Sequence, residues 1–168
     1  MTCPEQAALM SFASRLVELI TGVHRSSSID DTLAAAEMDA RLAAAALLVH
    51  VARADGVLAE AERDRVLELL RSRFSLTPEQ GGRLFDRADE ADAAIDDVAA
   101  LVGMMGHDLG PAELRRLLAM AYAVGSADGR LHEFEDDLIW RIGRLFGFDD
   151  AEIAAIRMAA VPPGIVGP

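Results

Sequence analysis

Five residues of this chain have the types and the spacing to hold a cation: Asp55 and Glu62, then Asp128, His132 and Glu135. They belong to two copies of one pattern, Ala-Asp-Gly-x-Leu followed by an acidic helix start, at Ala54–Leu58 and again at Ala127–Leu131. Asp128 follows Asp55 by 73 residues, and that offset also pairs Val66 with Ile139, Leu69 with Ile142 and Arg71 with Arg144. After a slip of one residue, Phe74, Leu76 and Thr77 pair with Phe146, Phe148 and Asp149. Most of the chain is therefore two copies of one helix–turn–helix unit.

Within each turn, glycine is the usual residue for leaving a helix through a left-handed conformation. Leu58 and Leu131 then fold back beneath the turn. With Ala59 and His132 as N-caps, Glu60 and Glu133 take the first helical position and Glu62 and Glu135 the third. Carboxylates there are favoured by the exposed amides and the helix dipole, by about 0.3–1 kcal/mol each. The glutamates so have a structural explanation. The aspartates sit at the carbonyl end of a helix, where the dipole opposes their charge, and need either an Asx-type hydrogen bond or a cation. The spacing resembles the second half of an EF-hand loop, with Asp55 fifth, Gly56 sixth and Glu62 twelfth. The first and third positions would fall on Val51 and Arg53, or Val124 and Ser126. That excludes an EF-hand. His132, four residues after Asp128 and three before Glu135, makes the second turn the better cation candidate.

These residues need helices to position them. Residues 6–20 carry Leu9, Phe12, Leu16 and Leu19 at helical spacing, followed by Ser26-Ser27-Ser28. This predicts an N-terminal amphipathic helix and Ser-rich joint over 1–28, separable from a helical domain over 29–161 and a loose tail over 162–168. Helices are expected from about Thr32 to Ala54 and from Glu60 to Phe74. A third opens at Thr77-Pro78-Glu79-Gln80, a helix start with its cap, proline and third-position glutamine in place. Another runs around Ile95–Met105, then one from Pro111, one over Glu133–Phe146 and one over Ala151–Ala159. Sustained period-two alternation is absent, so the fold class is all-α, with seven or eight helices. The acidic run Asp86, Asp89, Glu90, Asp92, Asp96 and Asp97 is expected on the solvent side, and His50 as a packing residue of the Ala-rich helix.

Composition narrows the function. The net charge of −12 disfavours nucleic acid and anionic lipid and favours cations or basic partners. All sixteen basic residues are arginine, which excludes Walker-A phosphate binding and lysine Schiff-base chemistry. Cys3 is the single cysteine, so an internal disulfide and a thiolate metal site are excluded. No leader-like segment and no membrane-spanning run is read, which points to the cytoplasm. Catalytic motifs are missing too: nucleophile elbow, glycine-rich phosphate loop and His-Glu-x-x-His are all absent.

The passages Val51-Ala-Arg-Ala-Asp-Gly and Ser126-Ala-Asp-Gly-Arg-Leu-His-Glu-Phe-Glu-Asp, with the ending Arg141-x-x-x-Leu-Phe-Gly-Phe, resemble the TerB family associated with tellurite resistance. The resemblance covers about residues 43–160. It implies an all-helical cytoplasmic domain that is not an enzyme, with roles in metal-linked stress response and in protein assemblies, some near the membrane. The family's acidic turn positions fall on Asp55, Glu62, Asp128 and Glu135, and the Leu-His-x-x-Glu stretch of one subgroup on Leu131, His132 and Glu135. Ala59 departs from the family, whose members often carry Asp or Ser there. The expected function is an acidic interaction module, metal-linked through a divalent cation, with a protein partner that is basic or membrane-proximal. The alternative is a small enzyme or ligand-binding protein with a pocket between the repeats.

Overall fold

The structure, a computed structural model, describes residues 29–94, 97–106, 109–161 and 163. The expected N-terminal helix, His24, Asp96, His107 and Asp108 lie outside the described residues. Seven helices follow in order: α1 (Ile29–Ala52), α2 (Glu60–Phe74), α3 (Pro78–Ala93), α4 (Val98–Gly106), α5 (Pro111–Gly125), α6 (Glu133–Leu145) and α7 (Asp150–Ala160). The described residues contain no strand, only an isolated bridge residue at Leu131. The all-α reading holds. By their contacts, residues 1–41 and 42–168 form two compact units, and among the described residues the buried apolar side chains belong to the second.

Small side chains decide how that second unit packs. Ala44 through Val49 are all buried, so the C-terminal half of α1 is enclosed on every side rather than amphipathic. The helix α5 buries Leu114, Leu117, Leu118, Ala121, Tyr122 and Val124, and packs on α2, α6 and α7. Further contacts join α2 to α3, α4 to α6 and α6 to α7. Gly143 marks a close approach within the apolar core: a Cβ there would stand 2.9 Å from Ile153 and 3.0 Å from Leu118.

The duplication extends to the caps. Thr77 and Asp149 each accept a hydrogen bond from the amide three residues on, at 3.3 and 2.8 Å, while Gln80 and Glu152 reach back to the cap amides. The preceding helices also leave alike. The amides of Leu76 and Phe148 return to the carbonyls of Arg71 and Gly143, at 3.0 and 3.1 Å, through a left-handed residue. In the second copy that residue is Gly147 (φ 88°); in the first it is Ser75 (φ 52°), which carries a Cβ in a conformation that disfavours one. Ser75→Gly is therefore expected to raise stability by about 1 kcal/mol, read as a higher midpoint in urea unfolding.

The acidic run departs from expectation at two positions. Asp92 is buried and Asp89 half-buried, because both face the end of α1: His50 Nδ1 lies 2.7 Å from Asp92 Oδ1 and an Arg53 nitrogen 2.7 Å from Asp89 Oδ1. Asp86 and Glu90 remain solvated. His50 is accordingly half of an ion-pair network instead of a packing residue.

Candidate functional site

Both Asp-Gly turns adopt one conformation. Gly56 and Gly129 have φ of 87° and 89°, and their amides return to the carbonyls of Arg53 and Ser126 at 2.8 and 3.1 Å. Asp55 Oδ1 accepts the amide of Val57 at 3.0 Å, and Asp128 Oδ1 that of Arg130 at 2.8 Å. These are the Asx hydrogen bonds that offset the helix dipole at this position. The N-caps match as well: Ala59 and His132 have φ, ψ of −70°, 151° and −73°, 153°. Glu62 and Glu135 each accept the amide of their own N-cap at 2.9 Å.

The glutamates hold what spacing did not reveal. Glu62 and Glu135 are 6% and 2% exposed, and the Glu62 carboxyl lies close enough to act on that of Glu135. Glu62 and Glu135 hold equivalent positions in the two copies, so the carboxyl pair marks where the halves meet. One proton must lie between the groups, because two buried carboxylates in contact cannot both ionise. Burial pushes Glu135 up to about 8; the hydrogen bond and charge of Glu62 and the charge of Asp128 add to the rise, and the His132 amide opposes it.

The five sequence-predicted residues thus fall into three places. Glu62 and Glu135 come together, Asp55 caps its own turn, and Asp128 caps the other while its second oxygen stands 3.4 Å from His132 Nε2. Among the described residues, no group of three or more His, Cys, Asp or Glu side chains is placed to hold a metal ion. The signal for the buried pair was present in the sequence. One glutamate recurring at the same register of a duplicated unit is a candidate for contact with its own counterpart.

The family model for tellurite resistance protein TerB matches residues 41–158, which includes both turns and both glutamates. The chain belongs to the TerB family. No curated protein and no solved structure matches it. The match begins near the boundary of the second compact unit, so the TerB domain and that unit are closely the same stretch. Among the described residues no helix is long and apolar enough to cross a membrane.

A divalent cation, which the TerB resemblance implies, can be tested against these side chains. Two carboxylates offering only oxygen are of the donor type that a hard ion of the magnesium or calcium kind takes. They do not fit zinc, which wants nitrogen or sulfur and four tightly placed ligands. Such an ion would have to replace the shared proton, so its affinity would rise with pH.

Proposed function

We propose that this TerB domain is an acidic, non-catalytic interaction module whose state is set by what neutralises the Glu62–Glu135 pair, a proton or a hard divalent cation. The buried carboxyl pair is the observation that supports this reading, because two adjacent buried carboxyls call for a neutralising positive charge. Neutralising the pair tightens that junction, and leaving it doubly ionised loosens it. The partner is a basic protein surface, in keeping with a net charge of −12 and exposed Glu60 and Glu133 beside the turns. The setting is the stress response with which the family is associated.

The test is thermal unfolding of the full chain in magnesium, calcium and zinc at alkaline pH, where the proton is weakest. Magnesium or calcium is expected to raise the melting temperature by mass action, and the Glu62→Gln/Glu135→Gln double variant should lose that response while remaining folded. A melting temperature indifferent to all three ions removes the cation and leaves the proton alone at the pair. Co-purification of a basic partner from the native host, weakened in the same double variant, tests the interaction half.

A further inference from the structure

Two clefts, each of about 380 Å³, lie between the end of the helix before one turn and the helix after the other. The first is formed by His50, Arg53 and Ala54 of one half against Phe134, Leu138 and Arg141 of the other, with Asp92 and Asp137 also in its wall. The second is formed by the counterparts: Ala123, Ser126 and Ala127 against Ala61, Arg65 and Glu68. The concavity is thus a property of the repeat, and any ligand must be read from the side chains. Where the second cleft has Ala123, Ser126, Ala61 and Glu68, the first has His50, Arg53, Phe134 and Arg141.

Hydrogen-bonding capacity in the first cleft is weighted toward donors, with Asp137 Oδ1 the acceptor left open at its rim. Both oxygens of Asp92 are engaged, Oδ1 by His50 at 2.7 Å and Oδ2 by Arg53 at 3.8 Å as an ion pair. The other terminal nitrogen of Arg53 lies 2.7 Å from Asp89 Oδ1 as an ion pair, and Asp137 Oδ2 pairs with Arg141 Nε at 3.1 Å. Among the described residues this leaves the terminal nitrogens of Arg141, the spare N–H groups of Arg53 and Nε2 of His50 to face a ligand. With Nδ1 held by a buried carboxylate, His50 is fixed in orientation. Phe134, 75% exposed, adds an aromatic surface at the same cleft beside Ala54 and Leu138.

We propose that the first cleft binds a small organic oxyanion, a carboxylate or phosphate carried on a flat apolar body, with Arg141, Arg53 and His50 on the anionic group and Phe134 against the body. This site is independent of the Glu62–Glu135 pair and stands or falls separately from it. The second cleft, whose Arg65 is paired with Glu68 at 2.6 Å and which has alanines in place of His50 and Phe134, serves as an internal control.

The experiment is an NMR titration of the full chain with phenyl phosphate, benzoate, inorganic phosphate and benzyltrimethylammonium, following the His50 imidazole and the Phe134 ring. Saturable shifts are expected with phenyl phosphate or benzoate, and which of the two binds more tightly identifies the oxyanion. Inorganic phosphate should bind several-fold more weakly and the ammonium not at all. Arg141→Gln, at a side chain that is 63% exposed and paired only with Asp137 among the described residues, should keep the fold and weaken binding about tenfold. Phe134→Ser should weaken phenyl phosphate while leaving inorganic phosphate unchanged. Unaltered affinity in Arg141→Gln, preference for the ammonium, or shifts at Ser126 and Arg65 instead of His50 would overturn the proposal.

Discussion

Glu135→Gln is expected to flatten the pH dependence of stability and to make the protein more stable than its parent at alkaline pH. In the folded chain the Glu135 carboxyl stays protonated up to about 8, against an ordinary value of 4.5. The folded state therefore binds more protons than the unfolded state between those values, and stability falls as pH rises through that window. Its contribution is fully present below the ordinary value and lost as pH passes the folded one. Glutamine mimics the protonated acid: its carbonyl can accept the His132 amide and its NH2 can donate to Glu62. The variant should match the parent in mild acid and exceed it by about 3 kcal/mol above the upper value. Glu135→Ala should instead be destabilised throughout, since the His132 amide loses its 2.9 Å partner and a void opens beneath the turn. Urea unfolding over a pH series gives the answer. A parent whose stability stays level or climbs across the window would show that the pair shares no proton.

The second large effect concerns Gly143. A methyl group at this position meets Ile153 at 2.9 Å and Leu118 at 3.0 Å, and both partners are fully buried with no open side to move toward. Alanine is the better helix former by about 1 kcal/mol, so a surface glycine replaced this way would stabilise. Overpacking works against that gain, and Gly143→Ala should lose a net 1–2 kcal/mol, about the lower range for a core insertion. Gly143→Val should lose about 3 kcal/mol or more, because branching at Cβ reaches both neighbours at once. Ile153→Val provides the check. It costs about 1 kcal/mol alone and should cost much less, or help, beside Gly143→Ala, giving a favourable coupling in a double-mutant cycle. Additive losses would mean that α6 has shifted away from α7 instead of pressing on it.

Helices were legible in this sequence because their signals are local. Thr77-Pro78-x-Gln80 placed α3, and Glu60–Phe74 carried both ends of α2. The duplicated turns were legible for the same reason, since a glycine after a helix and a carboxylate at the third position of the next have local causes. Roles within the turns were harder to assign. The aspartates needed either an Asx-type hydrogen bond or a cation, and the structure shows the hydrogen bond, within two residues, to the Val57 and Arg130 amides. The glutamates looked sufficiently explained by their own helices and turned out to be buried against each other. Burial of Glu62 by Glu135 depends on how the halves dock, and no pattern within one half states that. His50 and Asp92 are 42 residues apart on different helices, and their pairing was hidden for the same reason.

The shared carboxyl proton also changes what the charge of this protein means. Formal counting gives −12 with every carboxyl ionised, whereas the folded chain at neutral pH is one unit less negative than its unfolded form. Unfolding releases that proton to the buffer. Calorimetric enthalpies taken in phosphate and in Tris should therefore differ by the difference in the two buffers' heats of protonation, and electrophoretic mobility should step up at the melting transition by more than the expansion of the chain explains.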